Sequence, residues 1–207
     1  MPLSASEIHS LKQAPAVEGV LPAVHQRWSA RSFTTQPVTN ADLHRIFEAA
    51  RWTASSNNEQ PWRFLVARKG SETYSKIAET LMGFNKDWAT NAPVLIVGAA
   101  STKFARNGMD NIYALFDLGG ATNYLTLQAA ALGLTTHQMA GYDHKALRAT
   151  LGIPEDFALG TIVALGYQGD PAALADEQLI ARETAPRTRK PLNEFVFTSW
   201  GQGTSLD

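Results

Sequence analysis

Apolar residues recur at helical spacing in several segments of the chain, and each segment ends at a capping or helix-breaking residue. Between residues 40 and 53, the side chains of Leu43, Ile46 and Ala50 fall on one helical face. The longest run of this kind stops at Gly133 and predicts a central helix. The pattern predicts helices over residues 40–53, 71–81, 110–132 and 143–151, and a short first helix before Pro15 that forms a surface arm.

Shorter, mostly apolar segments bounded by Gly, Pro or Asn predict the strands. These segments are "PWRFLVARKG", "NAPVLIVGAA", "LTTHQMA", "LGTIVALGYQ" and a last strand-like piece, "EFVFTSW". The second is nearly all apolar, which is typical of a strand buried on both faces. Since no internal repeat or low-complexity linker interrupts the pattern, we expect a single α+β domain with a mixed sheet over residues 1–207.

Composition narrows the function classes. The chain has 207 residues, 44% of them hydrophobic, and a net charge of −1, so it has no general attraction to nucleic acid or to anionic lipid. The absence of cysteine removes disulfides, thiolate nucleophiles and cysteine metal sites. The N-terminal residues lack a secretory signal, and no apolar run is long enough to cross a bilayer. We therefore expect a cytoplasmic protein without nucleic-acid or membrane partners.

Positive charge is concentrated at "RWSARSF", residues 27–33. In an extended segment Arg27, Ser29 and Arg31 would share one side, and Trp28 and Ala30 would share the other. A guanidinium binds an oxyanion through two parallel hydrogen bonds, so this arrangement suits a phosphate. A solvated basic strand edge would explain the same pattern.

A second basic cluster, "PRTRKP", lies near the C-terminus. Its flanking prolines favour an extended backbone, in which Arg187 and Arg189 share a side. The two clusters can bind one anion only if the fold brings them together.

The loop "ASSNNEQPW", residues 54–62, is rich in hydroxyl and amide side chains. Amides offer a donor and an acceptor in one group, which suits a heterocycle with alternating N–H and C=O groups, such as the pyrimidine part of a flavin. A capped polar turn is the alternative interpretation.

Other chemistries have weaker support. The five histidines show no metal-ligand spacing with a carboxylate, so no metal site is expected. No GxSxG elbow accompanies Ser55 and Ser56, and the glycines of "GGATNYL" lie within a predicted helix instead of after a strand. Asp117 within the long helix is either a buried functional acid or a residue paired locally.

Five segments in order, "RWSARSF", "FEAARWTASSNNEQPWRFLV", "DLGGATNYLTLQAAALGLTTHQMAGYD", "LGTIVALGY" and "PRTRKPLNEFV", resemble the nitroreductase family of FMN-dependent oxidoreductases. The resemblance runs from about residue 21 to residue 197. It implies a mixed, mainly antiparallel sheet flanked by helices, with a C-terminal tail swapped onto a partner subunit.

The resemblance also assigns roles to residues. Arg27 is similar to the family's first phosphate-binding arginine, Ser29 to the hydroxyl beside the ribityl phosphate, and Arg31 to the cation near flavin N1 and the C2 carbonyl. Two-electron reduction leaves negative charge there, and a fixed cation stabilises it. Arg187 and Arg189 match the late basic pair that closes on the phosphate. The full set of implied FMN-binding residues is Arg27, Trp28, Ser29, Arg31, Ala54, Ser55, Ser56, Asn58, Gln60, Gln138, Met139, Ala140, Gly141, Arg187 and Arg189.

Within this set Asn58 would read the pyrimidine edge, and the backbone N–H groups of Ala140 and Gly141 would face flavin N5. Small residues there let the backbone come close. The sequence departs from the family at Ala140, where many relatives carry an acid or glycine, and at Ala54, where proline is frequent.

The implied activity is electron transfer from NADH or NADPH through FMN to nitroaromatic, quinone or similar acceptors by a ping-pong mechanism, with no catalytic side chain required. The implied assembly is a homodimer with FMN at the subunit interface, and "EFVF" as a lone terminal strand would need such a partner. Residues 83–110 are expected to cover the pocket. The alternatives are a reduced-flavin enzyme of dehalogenating or flavin-destroying type, and a flavin- or anion-binding protein without turnover.

Overall fold

The helices of the computed structural model, which describes residues 3–204 and Leu206, follow the predicted pattern closely. Side chains of Ser4, Thr39, Ser71, Asp143 and Asp176 each accept a hydrogen bond from the first turn of the helix that they precede. The α-helices are α1 Ala5–Lys12, α2 Pro22–Gln26, α3 Asn40–Arg51, α4 Glu72–Thr80, α5 Phe84–Ala89, α6 Ala114–Ala131, α7 His144–Leu151 and α8 Glu177–Thr184, and the 3-10 turns are Ser56–Asn58, Pro171–Ala173 and Leu192–Glu194.

The long helix begins later than its apolar pattern predicts, at Ala114 instead of near residue 110. The N–H of Asn111 donates to the carbonyl of Thr102, and its side-chain oxygen accepts from the N–H of Tyr113. These bonds hold the chain in a turn just before the helix.

Four strands form one antiparallel sheet in the order β1-β2-β4-β3, which confirms the predicted mainly antiparallel α+β fold. A parallel bridge between Ser29 and Thr136 places residues 27–33 beside the strand Thr135–Met139 at the edge of the sheet. The strands are β1 Trp62–Arg68, β2 Val94–Ser101, β3 Thr135–Met139 and β4 Phe157–Gly166, with a separate hairpin of β5 Phe197–Ser199 and β6 Gln202–Gly203.

Helices cover both faces of the sheet. On one face α3 and α6 pack on alternate strand residues such as Val94, Ile96 and Val163, and on the other face α4, α5, α7 and α8 pack on Leu95 and its neighbours. At Gly160 a Cβ would stand 2.6 Å from Leu118 of α6, so glycine permits the close approach of helix and sheet.

Three expectations were wrong. Helix α1 is not a surface arm, because Ile8 is fully buried against Trp28 and Ala30. The terminal strand β5 is not alone, because it pairs with β6 of the same chain. Residues 83–110 do not cover a pocket as a unit, because they include β2, whose side chains are almost all buried within the sheet.

Candidate functional site

The two basic clusters, far apart in sequence, meet at one cavity of about 190 Å³, here called the arginine cavity. A single carboxylate, that of Glu183, forms an ion pair with one of the lining cations among the described residues. The cavity is lined by Lys12, Arg27, Trp28, Ser29, Arg31, Arg182, Arg187 and Arg189. The structure therefore brings together six of the predicted site residues, four from the N-terminal cluster and two from the C-terminal one, with two cations, Lys12 and Arg182, that the sequence analysis did not single out.

The segment "RWSARSF" is extended, as predicted. Trp28 and Ala30 are buried, Ser29 is exposed, and Arg27 and Arg31 are half-buried. The Nδ1–H of His137 on β3 donates to the carbonyl of Ala30 at 2.9 Å, next to the Ser29–Thr136 bridge. The segment is thereby fixed along the sheet edge, with its guanidiniums turned to the arginine cavity.

Arg27 is the cation with the least compensation. Its guanidinium makes no hydrogen bond or ion pair to any other described residue of the chain. Burial lowers its pKa, and the nearby Arg189 lowers it further. A buried positive charge beside another positive charge is unfavourable without an anion, so the pair is suited to bind one.

Arg31 has a different environment, because the carboxylate of Glu183 lies beneath it. The two oxygens of Glu183 accept from the N–H of Arg31 at 2.9 and 3.0 Å, and one also accepts from the N–H of Ser32 at 3.1 Å. The guanidinium of Arg31 lies 3.9 Å from the carboxylate. The sequence analysis missed Glu183, whose only signal was an acid on the apolar face of an amphipathic segment.

Lys12 and Arg187 serve partly as structural residues. The ammonium of Lys12 donates to the carbonyls of Arg182 and Ala185 and lies 4.7 Å from the centre of the Trp28 ring. Arg187 donates to the carbonyls of Lys12 and His25 at 2.8 and 2.9 Å.

The guanidinium of Arg187 therefore already uses part of its hydrogen-bonding capacity. Among the described residues, the guanidinium of Arg189 donates only to the carbonyl of Thr188, and this side chain is exposed. Of the late pair, Arg189 is the freer ligand for an anion. The indole of Trp28 packs against Ile8 of α1, and the residue also lines the cavity.

The loop of residues 54–62, here called the serine-asparagine loop, does not line the arginine cavity in the described part of this chain. It lies at the start of α6, where the N–H of Ser56 donates to the buried carboxylate of Asp117 at 3.1 Å. Asp117 therefore anchors the loop by a tertiary contact, and it lies in the first turn of α6, where the helix dipole favours a negative charge.

The loop has an unusual backbone. Asn57, Asn58 and Gln60 all have φ between 51° and 56°, and the hydroxyl of Ser55 accepts from the N–H of Gln60. Three left-handed residues that are not glycine cost free energy, and such strain is concentrated at functional sites. The predicted loop residues keep a role at the arginine cavity only if a second chain brings them to it; they are Ala54, Ser55, Ser56, Asn58 and Gln60.

The environment of the "HQMAG" segment changes where β3 ends, from buried at Met139 to exposed at Ala140. The side chain of Met139 is buried in the core, and the side-chain amide of Gln138 donates to the side-chain oxygen of Asn123 of α6. Ala140 and Gly141 are exposed. The carbonyl of Gly141 accepts from Asn85 and Met82, which turns the peptide and holds it in place.

The described residues contain neither a metal-ligand cluster nor a membrane-spanning helix. Among residues 3–204 and Leu206 there is no group of three or more His, Asp or Glu side chains that could hold a metal ion. No helix of the same residues has the length and apolar character needed to traverse a bilayer.

Comparison with known proteins decides the family. The profile of the nitroreductase family matches residues 24–85 and 74–167, which together cover more than half of the chain. The chain belongs to the nitroreductase family. An Archaeoglobus fulgidus relative in this family, named "Putative NADH dehydrogenase/NAD(P)H nitroreductase", is 32% identical over 158 residues, 74% of this chain and 88% of the relative.

Two further similar proteins extend the comparison. A Thermus thermophilus protein named "NADH dehydrogenase" is 28% identical over 206 residues, 84% of this chain and 93% of its own. A solved structure described as "the oxidoreductase containing FMN" is 33% identical, covers 93% of this chain and 97% of that one, and superposes with a TM-score of 0.84. The nitroreductase fold of the chain is thus supported over nearly its whole length.

Proposed function

We propose that this nitroreductase-family chain is an FMN-dependent oxidoreductase that passes electrons from NADH or NADPH to nitroaromatic, quinone or similar acceptors by a ping-pong mechanism. The printed names of the relatives, an NAD(P)H nitroreductase and an FMN-containing oxidoreductase, support this proposal. When bound, FMN would supply the redox chemistry, accepting a hydride and then releasing the electrons to the second substrate.

The arginine cavity is the observation that carries the proposal. Burial and the nearby charge of Arg189 lower the pKa of Arg27, and no carboxylate among the described residues pairs with either arginine. A phosphate monoester, with nearly two negative charges and several acceptor oxygens, fits this environment. Solvated basic edges do not explain it, because Arg27 is half-buried.

The chain's own residues would bind and orient the cofactor. Arg27, Arg189 and the hydroxyl of Ser29 would hold the phosphate, and Arg31, next along the same edge, would face the flavin N1 and C2 region. The exposed turn at Ala140 and Gly141 adjoins this edge through the Ser29–Thr136 bridge, so its backbone would lie beside N5.

A homodimer would complete the site. The serine-asparagine loop has three residues with strained, left-handed backbone conformations, yet it lies outside the arginine cavity of its own chain. We therefore propose that it reaches the flavin of the partner subunit. The surface supports such an assembly. Ile112 is 81% exposed, Phe116 is 79% exposed and Trp200 in the tail is 97% exposed. Apolar side chains this exposed are typical of a protein–protein interface.

The test begins with the visible spectrum of the purified protein and the identity of the chromophore released on denaturation. We expect a yellow protein that releases FMN. Anaerobic addition of excess NADH or NADPH should then bleach it, and adding a quinone should restore the colour. A yellow protein that neither donor bleaches would support the binding protein without turnover, and a colourless protein that binds no added FMN would contradict the proposal.

A further inference from the structure

Glu183, in the last turn of α8, is a charged residue without solvent exposure. Its carboxylate accepts hydrogen bonds from the N–H groups of Arg31 and Ser32 and from the side-chain amide of Gln168 at 3.3 Å. A buried carboxylate is tolerated only where such bonds and a nearby cation stabilise its charge.

These hydrogen bonds fix the backbone at Arg31 and Ser32, within the segment of residues 27–33. Two successive N–H groups point at one carboxylate, so the direction in which Arg31 leaves the backbone is determined by the position of Glu183. Because Glu183 lies about 150 residues away in sequence and belongs to a packed helix, this constraint is tertiary.

The charge of Glu183 acts on the same residue. The carboxylate of Glu183 lies 3.9 Å from the guanidinium of Arg31, which makes an ion pair but is too long for a hydrogen bond. The N–H groups of the guanidinium are therefore available to another acceptor. The other charged groups that face this pair are the cations Lys12 and Arg182. The carboxylate therefore offsets one positive charge of a strongly cationic cavity.

We propose that Glu183 is a positioning residue that sets both the orientation of Arg31 and the share of its charge that acts on the bound flavin. This inference rests on the proposed function. Its consequence is that Glu183 holds the midpoint potential of bound FMN below the value that an uncompensated Arg31 would give, because a cation beside N1 and the C2 oxygen stabilises the reduced form.

Two substitutions separate orientation from charge. Glu183→Gln keeps an acceptor for the two N–H groups but removes the charge, so we expect FMN to bind within about threefold of wild type. The oxidised-to-reduced equilibrium of bound FMN should shift about tenfold toward the reduced form, a rise of about 30 mV for a two-electron couple. Glu183→Ala leaves both N–H groups without an acceptor, and the dissociation constant of FMN should increase at least tenfold.

The controls are Glu177→Gln, an exposed acid in the first turn of the same helix, and a cycle with Arg31→Gln. Glu177→Gln should leave the potential unchanged. Arg31→Gln should lower it, and in that background Glu183→Gln should no longer raise it. An equal rise in both backgrounds would show that Glu183 acts on the flavin directly and would overturn the proposal.

The outcomes distinguish the two hypotheses. If FMN binds and Arg31→Gln lowers the potential while Glu183→Gln changes nothing, the role of Glu183 is wrong and the proposed function stands. If the protein binds no FMN, the proposed function itself fails. Weaker FMN binding in Glu183→Gln without a shift in potential would indicate a purely structural acid and would also overturn the inference.

Discussion

Arg27 is the residue at which the electrostatics of the site are most informative. Its guanidinium is half-buried beside Arg189 and lacks an anionic partner among the described residues, so removing it relieves repulsion in the protein without ligand and weakens the binding of an anion. Stability and cofactor affinity should therefore respond in different directions.

We expect Arg27→Ala combined with Arg189→Ala to give folded, colourless protein. Each hydrogen bond to a charged phosphate contributes about 1.5 to 3 kcal/mol, so the loss of two forked donors weakens FMN binding by at least a hundredfold. Fluorescence titration with FMN measures the effect. The matched control, Arg45→Ala with Lys76→Ala, removes two exposed cations from other helices and should remain yellow. Full flavin retention by the cavity variant would refute the phosphate site.

His137 makes the folded state sensitive to acid. Burial and the neighbouring Arg31 lower its pKa to about 4, whereas the unfolded chain has the ordinary value of 6.5. The unfolded state therefore binds more protons between these values, and the stability that neutral His137 provides is complete above pH 6.5 and is lost as the pH falls toward 4.

His137→Asn should flatten this dependence, because the amide can still donate to the carbonyl of Ala30 but does not titrate. Between pH 7 and pH 5, wild type should lose about 1 to 2 kcal/mol more unfolding free energy than the variant does. The variant will be less stable at pH 7, since it loses the ring contact with Trp88 at 4.4 Å. Urea unfolding at both pH values tests this, with exposed His44→Asn as the control, and parallel curves for all three proteins would disprove it.

At the scale of elements, Lys12 joins the end of α1 to the end of α8. Its ammonium donates to two carbonyls at the C-terminal end of α8, those of Arg182 and Ala185, and also lies over the ring of Trp28. Cations near a helix C-terminus also interact favourably with the helix dipole.

Lys12→Met keeps a long unbranched side chain and deletes the charged donor. We expect the free energy of unfolding to fall by about 2 to 3 kcal/mol, because two part-buried carbonyls lose their partner. Chemical denaturation measures this loss. Lys76→Met, in an exposed pair on α4, is the control and should change the midpoint little. Equal stability of Lys12→Met and wild type would mean that water replaces the ammonium.

The elements also show how far the sequence determines the site. Periodicity and capping residues predicted α3 and β2 because those signals are local, and the alternation in "RWSARSF" placed its arginines on one side correctly. Glu183 was not predictable, since its partners lie about 150 residues away. The separation of the serine-asparagine loop from the cavity depends on where Asp117 anchors it, which is likewise a tertiary fact. The cytoplasmic location and the single domain stay predictions.

At the scale of the whole molecule, several large apolar side chains around the start of α6 are exposed to solvent. Ile112, Tyr113, Leu115 and Phe116 are all at least half exposed, an arrangement that is costly for an isolated chain. The proposed dimer would bury them and bring the second chain's loop to the cavity.

We expect Phe116→Glu to shift the protein from dimer to monomer and to reduce FMN content at the same time, because one event removes both the interface and the partner's loop. Light scattering after size exclusion, read with the absorbance ratio of flavin to protein, tests the coupling. Val17→Glu, which alters another exposed apolar residue, is the control. A monomeric variant that retains its flavin fully would contradict a shared site.

The burial of α1 has a practical consequence. Ile8 packs under Trp28, and the carbonyl of Lys12 accepts from Arg187, so this helix is the rear wall of the arginine cavity. An amino-terminal fusion or a proteolytic cut that unwinds it would open the arginine cavity from behind. Preparations compared for flavin content therefore need the same intact N-terminus, and a purification tag is safer placed elsewhere.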